Sequence, residues 1–461
     1  MLTWARRFSA AVLLLGAAPS GLGPGAFGDA ALAPGTLVTV AEVSAHRALL
    51  WLRAPDGAPV AIRYGAAGEP VAVTEATPSA ARDFTARVPL ERLWAGTRYQ
   101  YEVRAAGERV TGAFTTAPAA DTDTPVRLAW SGDLGGAGHC REVEDGYRIF
   151  RAMSARAPDA FLFVGDTIYA DHRCGRAQLA GADYVASSLD ELYGKHRYNR
   201  ADAAVQHFFR RTSVYATWDD HEVENNFGPG HELMPAGRRA FQDYFALEGV
   251  PDDPGRIYRS ARWGRHVEIF ILDTRQYRSP NTDADGPAKT MLGAAQRRWL
   301  LAGVSASDAT WKLIVSSVPL GIFTGGAHSD SWSNANVFGY PREGTGFVHE
   351  RDLILRSLHE RGVGNVVFIS GDVHHAEILR HEPAPGFVVH ELIAGPLAAR
   401  RGYPRFLDRS LGSRSLGSLG WAQNFGEIVA DGAGLRVNIV DSAGTVRVSR
   451  RLPAERRAMP L

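Results

Sequence analysis

The chain sets 51 lysines and arginines against 50 aspartates and glutamates over 461 residues, a formal net charge of +1. So even a balance excludes a global field that would hold nucleic acid or an anionic membrane, and any anionic substrate must be captured locally. A composition 45% hydrophobic, 22% charged and 10% aromatic excludes wholesale disorder, and the length suits two or three domains at roughly 100 to 200 residues each.

In chain order the first element is "MLTWARRFSAAVLLLGAAPSGLGPGAFGDAALAPG". An arginine pair, an apolar run of about a dozen residues and then small residues form the layout of a cleaved export signal, too short to span a bilayer. Residues 1–33 are expected to be this signal and a flexible segment. The expected destination is the periplasm or the extracellular space, with membrane contact only during export; Arg6 and Arg7 admit the twin-arginine route. Cys140 and Cys174 are the only cysteines, too few for a disulfide scaffold and without a metal-binding CxxC spacing. In an oxidising compartment they are expected to form one bridge.

Residues 34–118 hold short alternating segments: "TLVTVAEVS", "RALLWLRA", "VAIRYG", "FTARVPL", "RYQYEVRA" and "RVTGAFTTAP". Strands at this spacing with no helical window between them predict a small β-sandwich. The stretch "TRYQYEVRAAGERVTGAFTTAP" resembles the last two strands of a fibronectin type III-like module. After the linker "APAADTDTP", residues 124–452 change rhythm. Apolar runs ("VRLAW", "AFLFVG", "VYATW", "HVEIFILD", "WKLIVSSVPL", "VGNVVFISG", "GFVVHELIAG") alternate with amphipathic windows at 141–156, 189–211, 294–304 and 350–362. This predicts an α/β layer fold whose strands are buried on both faces. The window "LDELYGKHRYNR", with His196, reads as a solvated helix face. Residues 400–425 read as loop, and "LRVNIVDSAGTVRVSRRL" reads as a terminal hairpin.

Ligands of open α/β sheets bind beyond the carboxyl ends of the strands, so the residues just after each apolar run matter most. They are "SGDLGG" with Asp133, "DTIYAD" with Asp166, Tyr169 and Asp171, "DDHEVENN" with Asp220, His221 and Asn225, "DTRQYR" with Arg275, and "GDVHHAE" with Asp372, His374 and His375. A single such acid more commonly caps a helix or closes an Asx turn. Recurrence at five strand ends reverses that reading, because converging carboxylates repel one another unless cations neutralise them. Oxygen and imidazole ligands gathered in this way suit divalent or trivalent metals held in pairs or small clusters. If the backbone at 372–375 is extended, only one of the adjacent histidines faces the site, and His374 shares the parity of Asp372.

With these motifs in this order behind a fibronectin-like module, residues 37–450 resemble the alkaline phosphatase D family of metallophosphoesterases. The resemblance implies a metallophosphoesterase-like β-sandwich core flanked by helices, and an exported phosphodiesterase or phosphomonoesterase with an iron and calcium cluster. It implies Asp133 at the first metal position, Asp166 as the bridging carboxylate, Tyr169 as a phenolate ligand, Asp220 and His221 at the next motif, and Asp372 and His374 at the last. Asn225 is an additional oxygen candidate. The best-known members carry a cysteine thiolate where Asp133 stands here, and a harder oxygen ligand also accepts manganese, zinc or calcium alone.

The expected reaction is in-line displacement at phosphorus by a metal-activated water, with Asp166 bridging the metals and His221 protonating the leaving alkoxide. Arg275 would bind a nonbridging oxygen or pair with Asp273. Loops 225–240, 276–293 and 324–345 are expected to shape the pocket. The expected partner is a small phosphoester, with no stable nucleic-acid complex, and the expected state is a monomer. The alternatives are a metal-dependent hydrolase of another ester or a lactone, and an envelope-binding protein with a structural metal.

Overall fold

The computed structural model describes residues 35–455 apart from 70, 137, 176, 177, 248, 249 and 251, so the export signal lies outside the described residues. The first seven strands are β1 (Leu37–Ala41), β2 (Arg47–Arg53), β3 (Val60–Ala66), β4 (Ala72–Ala76), β5 (Thr85–Glu91), β6 (Arg98–Ala105) and β7 (Glu108–Thr115). Alternation drives them: in β6 Tyr99, Tyr101, Val103 and Ala105 turn inward while Arg98, Gln100 and Arg104 face water. A four-stranded sheet in the order β4-β3-β6-β7 is the first layer.

The remaining strands are β8 (Val126–Ser131), β9 (Ala160–Val164), β10 (Ser213–Thr217), β11 (Arg259–Trp263), β12 (Val267–Ile271), β13 (Trp311–Val315), β14 (Val366–Ser370), β15 (Ala376–Ala384), β16 (Phe387–Ile393), β17 (Arg414–Leu419), β18 (Asn424–Ala430), β19 (Gly434–Asp441) and β20 (Val446–Pro453). They form a seven-stranded sheet, β11-β12-β13-β14-β16-β15-β17, and a nine-stranded one, β20-β19-β18-β8-β9-β10-β1-β2-β5. The second sheet runs on into the N-terminal module, because β1 pairs in parallel with β10 at Ala41 and Val214. The described residues therefore fall within one compact unit.

The two large sheets face each other across one apolar layer, to which Leu128, Leu162, Ile269, Leu313 and Val367 contribute. Helices α1 (Ile149–Arg156), α2 (Leu189–Arg200), α3 (Ala203–Phe209) and α4 (Met234–Tyr244) cover the outer face of the nine-stranded sheet. Helices α5 (Gly293–Ala306) and α6 (Val348–Glu360) cover the other. Both central strand sets are parallel, β8-β9-β10 and β12-β13-β14-β16, so their carboxyl ends open on one edge of the sandwich.

Several expectations are corrected. Residues 400–425 contain β17 and the start of β18. Residues 225–240 run into α4, which buries Phe241 and Tyr244. The window 189–211 is two helices, because Asp202 caps the second by accepting from the amides of Ala204 and Val205 at 2.9 and 3.1 Å. α2 is not a solvated face. His196 is 1% exposed and stacks on Tyr244, and Arg200 is buried over Trp51, Phe209 and Phe245.

Candidate metal centre

The chain leaves three parallel strands by turning sharply. Asp133 after β8, Asp166 after β9, and Asp372 and His374 after β14 have φ of 62°, 50°, 68° and 60°. Left-handed backbone costs a side-chain-bearing residue roughly 1–2 kcal/mol, and four such residues at one edge mark a functional site. Two glycines allow close approach there: a Cβ on Gly395 would lie 2.3 Å from Asp133 Oδ2, and one on Gly165 would lie 2.6 Å from Asp219 Cβ.

Three groups of metal-capable side chains result, each with ligand atoms within 4.8 Å of one another: Asp171–His172–His221, and two that share Asp166, Asp133–Asp166–His374 and Asp166–Asp220–His221. The Tyr169 hydroxyl lies 3.1 Å from His374 Nε2, Asp133 Oδ1 lies 3.4 Å from the same nitrogen, and the Tyr169 ring stacks on His221 with centroids 4.1 Å apart. Asp372 stands outside all three groups.

The electrostatics suit a bound cation. Asp133 is 1% exposed, and among the described residues neither of its oxygens, nor Asp372 Oδ2, meets a hydrogen-bond donor. Buried carboxylates without partners are expensive. Burial, then repulsion from Asp219 and Asp220, pushes Asp133 up to about 8. The same causes hold Asp166 and Asp372 well above the carboxylate range. His374 is pushed the other way: burial lowers it to about 4. Its Nδ1 donates to the Arg400 carbonyl at 2.6 Å, so Nε2 is the lone-pair nitrogen beside Asp133 and Tyr169. His375, by contrast, is fully buried against Glu377 and the Val373 carbonyl. The choice between the two does not come from strand alternation, since positive φ at Asp372 and His374 rules out extended backbone.

On the other side, His221 Nδ1 meets both oxygens of Asp171, at 2.8 and 2.9 Å. Asp171 also accepts from the Asn225 amide at 3.0 Å and bonds His172 Nδ1 at 2.9 Å. Burial opposes charge on His221, but Asp220, Asp171 and Asp219 outweigh it and raise the imidazole to about 9. Sequence reasoning gave Asp171 no role; its place five residues past Asp166 was the available signal. Asn225 takes part through its backbone, and its side chain is exposed. Glu222 braces the site by accepting from the Thr167 amide and hydroxyl at 2.7 and 2.6 Å and from the Asp219 amide at 2.9 Å.

Arg275 is corrected. It is fully buried, and its guanidinium meets Asp219 at 2.7 Å and both oxygens of Asp330 at 2.9 and 2.6 Å. Asp273 receives only its backbone amide. With its donors so committed, Arg275 supports the carboxylates from behind and is not a phosphate ligand. Asp330 also binds Arg278 and Asn281, which ties the 324–345 loop to the centre.

Alkaline phosphatase D of Bacillus subtilis (strain 168) is 26% identical over 272 residues, 51% of this chain and 44% of that protein, so the match spans less than half the relative's length. Among solved structures, "Structure of PhoD" superposes with a TM-score of 0.72 at 17% identity, covering 92% of both chains. Purple acid phosphatase PPD1 from yellow lupin (Lupinus luteus) seeds gives 0.64 at 12% identity, covering 91% of this chain and 74% of its own. Both share the fold. A family model described as PhoD-like phosphatase matches residues 135–438. Running from just past Asp133 into β19, and through every other strand end that supplies the centre, that match makes the chain a member of the PhoD-like phosphatase family.

Proposed function

We propose that this is an exported metal-dependent phosphoesterase acting on small phosphate esters. The observation that carries the reading is the pair of ligand groups sharing Asp166, with unpartnered buried carboxylates at Asp133 and Asp372. Asp133, Tyr169 and His374 would hold one metal ion, Asp220 a second, and Asp166 both, with Asp372 completing the oxygen ligands. Calcium and iron follow from the family, and the oxygen donor of Asp133 equally suits manganese or zinc. When bound, the ions activate the attacking water and neutralise the phosphate oxygens.

The protein's own part is positioning and proton transfer. Asp171 holds His221 by Nδ1, which leaves Nε2–H of the protonated ring to deliver a proton to the leaving oxygen. Export is supported by the Cys140–Cys174 disulfide, which belongs in an oxidising compartment. No helix among the described residues is long and apolar enough to cross a membrane.

The test is hydrolysis of bis(p-nitrophenyl) phosphate and p-nitrophenyl phosphate before and after EDTA treatment and metal readdition. Turnover that chelation removes and metal restores supports the reading, and the ratio of the two rates gives diester against monoester preference. Folded protein inactive with every metal overturns it and leaves ester and lactone substrates to be tried.

A further inference from the structure

The last ligand motif has an unusual neighbour. The Gly402 amide donates to the His374 carbonyl, and the Trp421 amide donates to the Gly402 carbonyl, both at 2.7 Å. The 400–421 segment is thus one hydrogen bond from a metal-ligand candidate. It is tied in turn to the 336–340 loop, since the Arg409 amide donates to the Gly339 carbonyl at 3.0 Å. Together these loops form a rim beside the centre.

The rim is apolar where a soluble protein ordinarily is not. Val337, Phe338, Tyr340, Tyr403, Phe406 and Trp421 are each at least half exposed, and they are six of the twelve large apolar side chains that remain exposed among the described residues. Five of the six exposed aromatic residues lie here; Trp94 is the other. They sit as a patch, with Tyr403 stacked on Trp421 at 5.3 Å and Phe338 edge-on to Phe406 at 5.8 Å. Contiguous exposed apolar surface of this kind marks an interaction site.

The rim is also basic. Arg400, Arg401, Arg405 and Arg409 are exposed, and the one acid between 400 and 421, Asp408, is buried on Arg351. In a chain whose charges otherwise cancel, this is a local positive field. Protruding aromatic and aliphatic tips among arginines match a bilayer interface, where rings enter the headgroup layer and guanidinium groups meet lipid phosphates. Nucleic acid fits less well. Tyr403 and Trp421 cover one face of each other, and Val337 has no face on which a base could stack.

We infer that the 336–340 and 400–421 rim docks the protein on an anionic phospholipid surface. Resting on the phosphoesterase reading, this lays the metal centre over headgroup phosphodiesters.

The experiment is sedimentation of the full-length mature protein with vesicles of phosphatidylcholine alone or mixed with phosphatidylglycerol. Hydrolysis of bis(p-nitrophenyl) phosphate is followed in parallel. Binding is expected to the mixed vesicles, to weaken with salt, and to fall about tenfold or more in both F406S/W421S and R401Q/R409Q. Soluble-substrate turnover is expected to stay unchanged in both variants, which also verifies their folding. Active protein that ignores both vesicle types overturns the docking and leaves the phosphoesterase reading intact. Vesicle binding without turnover of any phosphoester does the reverse. Preferential binding of a single-stranded oligonucleotide, or a dimer that F406S/W421S dissociates in light scattering, would assign the rim elsewhere and overturn the inference.

Discussion

Asp171 grips His221 with both carboxylate oxygens, 2.8 and 2.9 Å from Nδ1, and so leaves Nε2 as the free edge of the imidazole. Replacing it tests proton delivery. Asp171→Asn should slow alkyl phosphodiesters by about 10²-fold and p-nitrophenyl esters much less, since a good leaving group needs no acid. Its carboxylate helps raise His221, so its loss should move the alkaline limb of kcat to lower pH. Leaving-group dependence and pH profiles of both proteins check this. An equal loss for all leaving groups would make Asp171 merely structural.

Metal uptake should release protons. Burial and repulsion from neighbouring carboxylates raise Asp133 to about 8 and hold Asp166 and Asp372 well above the carboxylate range, so the metal-free cluster favours bound protons, whereas ligation requires the carboxylate. Calorimetric titration with a divalent metal in buffers of different ionisation enthalpy should show at least about one proton released, and affinity rising with pH up to about 8. His374, near 4, is already neutral and adds none. By the same linkage, metal-free stability should fall as pH climbs from the ordinary carboxyl range to about 8, because there the folded protein holds protons that the unfolded chain has lost.

Asp166→Asn should act in opposite directions on function and stability. Turnover should fall at least about a hundredfold. The melting temperature of EDTA-treated protein should stay level or rise, because the amide is neutral without needing the proton that burial and neighbouring carboxylates force on Asp166. Thermal scans with and without metal check both. Retained activity would sink the shared-ligand role.

Arg275→Met should destabilise the fold by about 3–5 kcal/mol, because Asp219 loses its cation and Asp330 keeps only Arg278 while both remain buried. Denaturant unfolding measures this. A stability within about 1 kcal/mol of the parent would show that the pair is compensated by other groups.

Much of the centre was legible because each acid directly follows an apolar run, and parallel strands deliver such positions to one edge. Asp133, Asp166 and Asp220 needed no more than that. His374 was reached from a premise that does not hold, an extended backbone where the chain is left-handed. Arg275 was misread because its partner, Asp330, lies 55 residues downstream in a serine- and asparagine-rich loop with no periodic signal. α2 looked solvated because its polar residues are satisfied internally. Lys195 donates to the His172 and Ala182 carbonyls, and Arg200 to Thr39 and the Tyr244 carbonyl. Charge on a helix predicts water only when no partner is folded over it.

The parallel pairing of β1 with β10 bears on how this protein can be cut and rebuilt. The Glu42 amide donates to the Val214 carbonyl, Val43 receives the Tyr215 hydroxyl on its carbonyl, and β10 continues directly into Asp219, Asp220 and His221. Trimming the chain at the 117–125 linker would leave β10 as a raw, sticky edge beside the reactive loop. The N-terminal all-β segment is therefore a splint rather than a detachable tag, and fusion or truncation designs should keep it with the rest.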